Sequence, residues 1–530
     1  MQALSIRIGW RTLPPVSAVS NQRIKTLRFH WFLHVVALPL VYAALYLFSN
    51  GAALSVSCER TADYQLLALS AELAKDGDAW TGAYSRFGFR HPGPIYAYLS
   101  AFGDLFLPFG GTPRGRHQVM QLLVSMLVLL AAAQVTYRTF RPRLLAPAVV
   151  AMTLIVGRLA IDGHLFHDTW NPSVMVAPMV LFLVSTAALL VGRRSVVAYQ
   201  AIAAVLLLHA HLGASPVVIL LLALSWFWVL RAARGRLFAA FAHLALCGGG
   251  ILLLSFLPVF HDALVAPNGG NLGTLIRFFS SHQEGTGYGS AVHFVAWHIA
   301  RSVGSDRVAL GGVVFLITLL PALYGAWVGV RRDRAPVVVL VVALLLCLLA
   351  ARGIVGAPHD YLMRYLFGVV AVLFAIAVVA ILRILSRSIP QTHRLLASRV
   401  SLITMLLAGL AALPPALTPK PELCSKNAAR LVARFTPDPQ VRYRLEPSVP
   451  NDWPLMAAIA LHLKRRGVEF CVDPMWGATF DWSLTCGVRA GRDPFPPRPL
   501  KTLRVYNQRP KDPVGLPNQL KQKQFLMAWE

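Results

Sequence analysis

The sequence predicts an all-α membrane protein with about eleven transmembrane helices, followed by a small α/β domain. Hydrophobic residues make up 56% of the 530 residues and charged residues only 14%, whereas soluble domains carry about 25% charged residues. The mean hydropathy is +0.57, and the apolar residues form long blocks, as helices that cross a hydrocarbon core of about 30 Å require. Beyond about Thr418 these blocks end, which indicates a separate C-terminal domain.

The apolar blocks define the transmembrane segments. The first of them follows a long basic stretch and is too long for the apolar core of a secretory signal, so we expect an uncleaved helix. The sequence therefore divides into a basic tail (1–30), a transmembrane domain (31–417, with a first outer loop over 50–116) and a C-terminal domain (418–530). The predicted spans are 31–49, 117–137, 144–160, 173–192, 196–211, 214–230, 238–259, 308–330, 335–351, 363–385 and 399–416.

Lys and Arg recur in every second loop between the spans, and this pattern predicts the orientation. Short basic loops stay in the cytoplasm, so the N-terminus is expected there and the C-terminus on the extracytoplasmic side of the inner membrane. The net charge of +27 then reflects topology, and we expect no nucleic-acid partner. The basic loops contain Arg138, Arg141 and Arg143; Arg193 and Arg194; Arg231, Arg234 and Arg236; Arg331, Arg332 and Arg334; and Arg383, Arg387, Arg394 and Arg399.

The first outer loop contains a candidate base. Thr61 suits the N-cap of a helix that Gly77 ends, which puts Asp63 in the first turn. The N-terminal dipole and free amide groups are expected to keep Asp63 ionised. Asp63 can then act as a proton acceptor, or it can simply complement the helix end. The properties of the residue alone favour neither interpretation over the other.

The same loop ends in a predicted interfacial helix. Pro92 and Pro94 suit its start, and an apolar stripe follows at helical spacing, which is typical of a helix lying on the membrane surface. Arg90 and His91 precede this helix at the level of the lipid phosphates. Arg90 can bind a phosphate there, although headgroup snorkelling is a common alternative.

Two stretches of this loop, TADYQLLALSAELAKDG and FRHPGPIYAYL, resemble the GT-C superfamily of multi-span glycosyltransferases, such as protein O-mannosyltransferases and lipid A aminoarabinose transferases. The resemblance covers roughly residues 30–415. It implies a polyprenyl-phosphate sugar as donor and Asp63 as the acidic residue at the reaction centre. It also implies that the second outer loop reaches the same centre. Members of the family usually have an acidic pair near the first span. In this sequence Glu59 precedes Asp63 by four residues and does not adjoin it.

The resemblance implies that the second outer loop, DGHLFHDTWNPS, contributes to the substrate site. Trp170 can stack on a sugar ring and Asn171 can bind hydroxyl groups. The ionisable residues can bind acceptor, donor phosphate or a divalent metal, although His and Asp at this spacing often only cap helices. These ionisable residues are Asp162, His164, His167 and Asp168, of which His164, His167 and Asp168 are the metal candidates.

The loop before the tenth span adds a cation and an aromatic residue. Arg364 is expected slightly inside the membrane edge, where an arginine needs a partner. A lipid-linked phosphate suits its planar fork, and Asp360 is an equally good internal partner. We assign Tyr361 to the substrate site. His211, at another outer turn, is expected by default to bond to backbone.

The C-terminal domain is predicted to contain a β-α-β unit formed by VRYRLE, DWPLMAAIALHLKRRG and VEFCVD. Four cysteines are expected on the oxidising side of the membrane. We predict the disulfides Cys471–Cys486 and Cys58–Cys424. The two cysteines inside spans, Cys247 and Cys347, are expected to be free thiols.

Together these features predict an inverting membrane glycosyltransferase that moves a sugar from a polyprenyl-phosphate donor to a hydroxyl of a lipid, glycan or protein acceptor on the outer face. Asp63 is the predicted base, and Arg90, His91 and Arg364 are predicted to bind the donor phosphate. The substrate residues are His167, Asp168, Trp170, Asn171 and Tyr361. A transporter or lipid flippase is the main alternative, although the spans contain few central charges and no inverted repeat. An inactive scaffold with the same fold is another.

Overall fold

The structure is a computed structural model. It describes residues 32–56, 62–108, 110–141, 143–161, 166–233, 235–282, 285–328, 331–387, 390, 393–411, 426–447, 452–486, 499–505 and 527–529. Thr61, Glu59, Asp162, His164, Cys58 and Cys424 lie outside the described residues, and so does the predicted Cys58–Cys424 pair.

The regular elements of the described transmembrane part are helices, apart from a short β-bridge in the first outer loop. In chain order its helices are α1 (Ala37–Leu54, preceded by a π-helical turn Phe32–Val36), α2 (Ala62–Lys75), α3 (Ile95–Phe106), α4 (Pro113–Thr139), α5 (Leu145–Ile161), α6 (Val176–Leu190), α7 (Val197–Ala210), α8 (Ser215–Ala232), α9 (Leu237–Leu244), α10 (Gly250–Val265), α11 (Gly270–Ser281), α12 (Tyr288–Arg301), α13 (Val308–Val328), α14 (Arg331–Arg352), α15 (Leu366–Arg387) and α16 (Arg394–Ala411).

Each of the eleven predicted spans coincides with a helix, and a π-helical turn joins α9 and α10 into one. In the described part of the chain, eight helices are long and apolar enough to cross a membrane, while α5, α7 and α16 are apolar but shorter. The chain is therefore an integral membrane protein. By length and composition, eight of the described helices can cross a membrane, so the predicted number of eleven is not confirmed.

Helix α6 forms the centre of the bundle. The segment Ser173–Leu190 is 94% buried, because α4, α7, α14 and α15 pack around it. Its sequence is apolar on every side, as expected for a helix with no exposed face. A buried polar pair joins Thr186 to Gln200 of α7 at 2.8 Å. By contrast, α8, α10 and α13 expose many large apolar side chains, as lipid-facing helices do.

The predicted outer loops meet at one end of the bundle. The Tyr64 hydroxyl donates to Asp168 at 2.7 Å, and Arg86 donates to the Ala357 carbonyl at 3.1 Å. The predicted cytoplasmic loops also contact one another, since Arg193 donates to the Arg138 carbonyl at 3.3 Å. Each of these contacts joins loops that the charge pattern places on the same side.

The first outer loop contains the two helices that the sequence predicts. Helix α2 ends before Gly77, whose φ of +78° a glycine tolerates at a helix end. Helix α3 begins directly after Pro94. It exposes Phe102 and Phe106, whose rings lie 4.5 Å apart, and buries Gly103 against α4. This amphipathic packing is that of an interfacial helix.

The C-terminal domain has a four-stranded sheet in the order β2-β1-β3-β4. Its elements are α17 (Lys426–Arg434), β1 (Arg442–Pro447), α18 (Trp453–Arg465), β2 (Phe470–Val472), α19 (Gly477–Phe480), β3 (Leu500–Val505) and β4 (Met527–Trp529). Strand β1 is parallel to β2 and β3, and β4 is antiparallel to β3. The unit β1-α18-β2 is the predicted β-α-β unit.

The C-terminal domain packs on the first outer loop. Its apolar core continues into α2 through Leu66, Leu69 and Leu73. A disulfide joins Cys471 and Cys486, as the sequence predicts. Among the described residues, Cys247 and Cys347 are free thiols. The domain therefore rests directly on the helix that begins with the candidate base.

Candidate active site at the loop end of the bundle

A cavity of about 540 Å³ opens where the predicted outer loops meet. Residues of all five predicted outer loops and the first residue of α18 line it. Five of the predicted site residues face it together, although they are far apart in the sequence. They are Asp63, His91, Trp170, Asn171 and Tyr361.

One wall of the cavity is apolar. Phenylalanines of the first outer loop and of α11 form it, with the Phe89 and Phe278 rings 5.1 Å apart. Residues Leu349, Ile354 and Val355 continue this wall toward the next loop. A cavity with one apolar wall and one polar wall suits a ligand that has an apolar part and a polar head.

Asp63 lies on the polar wall beside Trp170. Burial raises the pKa of the Asp63 carboxyl, and a hydrogen bond with the Trp170 side chain opposes this rise. The sequence predicts that the helix end keeps Asp63 ionised, whereas the structure shows that loss of solvent has the larger effect on the pKa. A carboxylate with a raised pKa is a stronger base, which suits proton abstraction.

Arg364 stacks on the ring of Trp170 and does not itself line the cavity. Its guanidinium carbon lies 4.7 Å from the centre of the indole ring. Arg364 also donates to the Ser173 hydroxyl at 2.8 Å and pairs with Asp360 at 3.2 Å. Because the Asp360 side chain is 50% exposed, this ion pair is weak and can be exchanged for another anion. The sequence left open whether Arg364 pairs with Asp360, and the structure contains this pair.

Asp168 organises this loop and does not line the cavity. It is buried and accepts hydrogen bonds from the Tyr64 hydroxyl at 2.7 Å and the Ser173 hydroxyl at 2.8 Å. Because Ser173 in turn accepts from Arg364, Asp168 holds the loop and the cation in one arrangement. Asp168 thus lies behind the cavity lining, and the substrate contact predicted for it stays a prediction.

His167 also points away from the cavity. Its ring is buried and stacks on Tyr46 of α1 at 4.2 Å, because the loop turns this side chain into the bundle. Within the described ranges no three His, Cys, Asp or Glu side chains form a metal-binding group. The predicted metal site therefore has no ligand set among these residues, and His164 is outside them.

Two buried histidines face the cavity as neutral hydrogen-bond donors. The His91 Nδ1 accepts from the Leu212 amide at 3.2 Å, and the His211 Nδ1 accepts from the Gly213 amide at 3.1 Å. Burial lowers the pKa of both rings, to about 4 for His211, and the rings lie 4.4 Å apart. Since each Nδ1 is an acceptor, the proton of each neutral ring is on Nε2.

No protein-family model and no curated protein matches the sequence. Among solved structures, the chain is similar to ArnT from Cupriavidus metallidurans bound to undecaprenyl phosphate, with a TM-score of 0.56 at 12% identity over 93% of this chain and 97% of that chain. The apo state of the same protein gives a TM-score of 0.52 at 13% identity, over 95% and 98%. The chain has the GT-C fold. The Archaeoglobus fulgidus oligosaccharyltransferase in its apo form gives a TM-score of 0.46 at 12% identity, over 82% of this chain and 64% of that chain.

Arg90 is buried and does not line the cavity, in contrast to the exposed position at the lipid phosphates that the sequence predicts for it. The side chain is 1% exposed. It donates to the Gly82 carbonyl at 2.9 Å, the Thr479 carbonyl at 3.0 Å and the Ser70 hydroxyl at 3.1 Å. Asp481 lies 3.6 Å away. Each of the three guanidinium nitrogens thus has a protein partner, and the side chain is buried without lining the cavity.

The arginine of the first outer loop that lines the cavity is Arg86, which is not among the site residues predicted from the sequence. Arg86 is exposed, and its guanidinium carbon lies 6.0 Å from the centre of the Tyr361 ring. A short hairpin holds it, closed by a bridge between Tyr84 and Arg90 and turned at Gly88. The stretch SRFGFR indicates this arrangement, because a turn at the glycine between the two arginines allows their side chains to lie in different surroundings.

Proposed function

We propose that this chain is a membrane glycosyltransferase that moves a sugar from a polyprenyl-phosphate donor to an acceptor hydroxyl. The observation that carries the proposal is one cavity that combines the partly buried Asp63 carboxylate, the Arg86 guanidinium, two imidazoles and an apolar wall, with Arg364 stacked on the Trp170 ring of its lining. The GT-C fold supports it, and a structure with this fold has been solved with undecaprenyl phosphate bound. The phosphate of such a donor needs the polar donors, and its prenyl chain needs the apolar wall.

In the proposed reaction, the acceptor hydroxyl attacks the anomeric carbon of the donor sugar. Asp63 takes the hydroxyl proton as the new C–O bond forms, and the bond from the anomeric carbon to the phosphate oxygen breaks. Polyprenyl phosphate leaves with the electron pair of that bond. A single displacement of this kind inverts the anomeric configuration. The raised pKa of Asp63 supports its assignment as the base.

The leaving phosphate gains negative charge as the bond breaks, and four groups can stabilise it. Arg364 and Arg86 supply charge, and charge-assisted hydrogen bonds to phosphate are about twice as strong as neutral ones. His91 and His211 supply Nε2–H donors that need no protonation. Trp170 stacks against the Arg364 guanidinium and keeps its position. A fixed donor set of this kind stabilises charge without reorganising during the reaction.

Other predicted residues contribute to the sugar site. Trp170, Asn171 and Tyr361 line the cavity and are suited to bind the transferred sugar by stacking and by hydrogen bonds. His167 and Asp168 act behind this layer. The described residues offer no ligand group for a divalent metal, so no step is assigned to one.

We further propose that the N-terminus is cytoplasmic and that the cavity and the C-terminal domain face the extracytoplasmic side. The alternation of basic loops supports this orientation. The Cys471–Cys486 disulfide supports it independently, because such bonds persist in oxidising compartments. The acceptor is then a component of the outer face of the inner membrane or of the cell envelope.

The test is binding of undecaprenyl phosphate to the purified protein in detergent, followed by thermal unfolding. Wild type should be stabilised by the lipid, and Arg364→Ala should lose most of this stabilisation. Arg277→Ala is the matched control, because Arg277 is exposed and, among the described residues, bonds only to its own helix and the turn before it. Equal stabilisation of all three proteins would remove the phosphate assignment. Movement of an intact lipid-linked sugar across vesicles, without cleavage, would favour a flippase.

A further inference from the structure

The C-terminal domain reaches the cavity with one aromatic side chain. Trp453 is the first residue of α18 and lines the cavity. Among the described residues of that lining, it alone comes from the C-terminal domain. Its ring is half-buried, and its centre lies 5.7 Å from that of Tyr84, which lines the cavity from the first outer loop.

The position of Trp453 relative to Asp63 is set by helix packing. Helix α18 packs along α2, and Lys464 pairs with Asp76 at 2.6 Å while Arg465 donates to Glu72 at 3.1 Å. These pairs join the C-terminal ends of the two helices. The N-terminal ends, which carry Trp453 and Asp63, therefore lie together at the cavity.

Helix α2 lies between the C-terminal domain and the helix bundle, and Asp63 lies near the place where these two parts meet. The leucines of α2 face the core of the C-terminal domain, whereas Tyr64 bonds to Asp168 of the second outer loop. Trp170 and Arg364 belong to the bundle side. Tyr84 lies close enough to Asp63 for the carboxylate charge to contribute to its raised pKa, after the larger effect of burial.

In the proposed single displacement, the attacking hydroxyl and the leaving phosphate lie on opposite faces of the anomeric carbon. We assign the phosphate to the side of the loop before the tenth span, which carries Arg364 and which Arg86 contacts at the Ala357 carbonyl. The acceptor must then approach Asp63 from the other side, where the C-terminal domain adds its wall. Tyr84 and Trp453 present two aromatic rings and one phenolic hydroxyl there. Aromatic faces suit the C–H groups of a sugar ring, and the hydroxyl suits its polar edge.

We propose that Tyr84 and Trp453 form the acceptor subsite, and that the acceptor presents a sugar ring beside the attacking hydroxyl. The acceptor is thus a glycan or glycolipid and not a polypeptide. This inference rests on the proposed function. Trp453 is a specificity-determining residue that the C-terminal domain supplies to a cavity otherwise formed by the membrane domain and its loops.

The test uses a strain from which the gene is deleted. Its chloroform-extracted lipids supply the accumulated donor, and its envelope fraction supplies the acceptor. Purified full-length protein is added, and the new glycosidic linkages are measured by methylation analysis as the amount of envelope is varied. Three proteins are compared with wild type: Trp453→Leu, Trp453→Phe and Met475→Ala. Met475 is the control because it is 74% exposed in the same domain and does not line the cavity.

Leucine and phenylalanine are both smaller than tryptophan and similar to each other in size, but only phenylalanine keeps an aromatic face, so a purely structural role would tolerate the two variants about equally. We expect Trp453→Leu to raise the half-saturating amount of envelope about tenfold, and Trp453→Phe to raise it less than about threefold. The maximal rate and the stabilisation by undecaprenyl phosphate should not change in either variant. Met475→Ala should match wild type.

Three outcomes overturn the inference in different ways. If wild type forms no new linkage, the proposed function fails and the acceptor subsite fails with it. If wild type transfers sugar to protease-sensitive material, the glycosyltransferase stands and the glycan acceptor is wrong. If Trp453→Leu has the wild-type half-saturating amount on a glycan acceptor, the transfer stands and Trp453 has no part in recognition.

Discussion

Replacing Asp63 by asparagine removes the proton acceptor from the cavity and keeps the shape of the side chain. The Trp170 indole can still donate to the oxygen of the new amide group, so the contact across the cavity persists. Loss of a general base typically lowers a rate by about a hundredfold to ten-thousandfold. We expect a fall of that size in the maximal rate, with undecaprenyl phosphate bound as in wild type.

The fold should tolerate this change. The charge of Asp63 complements the N-terminal end of α2, and losing such a charge costs about 0.3–1 kcal/mol. Burial has the opposite effect. Because it raises the folded-state pKa of Asp63, the stability linked to this group is present at low pH and is lost as the pH rises through the folded pKa. A neutral amide avoids that loss, so the net change in the free energy of unfolding should stay below about 1 kcal/mol.

The pH profile gives a second measure of the same residue. A base works only when deprotonated, so turnover should fall as the pH falls through the pKa of Asp63. Since burial raises that pKa, the acid limb of the profile should lie above the range of an exposed aspartate, which is about 3.9. The Asp63→Asn variant should lack this limb.

The assay is release of polyprenyl phosphate from donor lipid, with thermal unfolding measured on the same samples. Asp306→Asn is the control, because Asp306 is 71% exposed and pairs only with Arg301 among the described ion pairs. If the Asp63 variant turns over at the wild-type rate, Asp63 is only a helix-end residue and the proposed base is wrong. An unfolded variant would instead contradict the stability argument.

Other changes have distinct expected outcomes. Arg364→Ala should weaken binding of undecaprenyl phosphate about tenfold to a hundredfold, measured by lipid titration, because one charge-assisted hydrogen bond contributes about 1.5–3 kcal/mol. Asp168→Asn should lower the unfolding temperature and the maximal rate together, since it disturbs buried hydrogen bonds that hold the Arg364 loop. Arg90→Met should destabilise the protein by about 3–5 kcal/mol, seen as loss of folded material on gel filtration, because it leaves a buried acidic partner uncompensated. Reducing Cys471–Cys486, which are 15 residues apart, should cost about 3 kcal/mol in the unfolding of the C-terminal domain, measured with and without reductant.

The fold was largely predictable because its signals are local. An apolar block of about twenty residues reports a membrane helix wherever it occurs, and all eleven blocks became helices. The proline before α3 and the glycine after α2 mark helix ends by their own backbone preferences. The β-α-β unit follows equally local patterns. None of these features depends on which distant segment is nearby.

The site was predictable only where loop position decided it. Asp63, Trp170 and Tyr361 belong to predicted outer loops, and those loops meet at one cavity. Which side chain of a loop faces that cavity is a different question. In the second outer loop, Trp170 faces it, whereas His167 stacks on α1. So short a stretch contains no periodicity that separates the two.

Arg86 and Arg90 show the same limit most clearly. Both follow from one short stretch, SRFGFR, and the sequence alone identifies a basic loop at a membrane surface. Only the tertiary structure brings Thr479 and Asp481, almost four hundred residues away, to Arg90 and buries it. An arginine becomes structural when its partners satisfy every nitrogen and remove its water, and those partners come from a domain that the local sequence does not reveal.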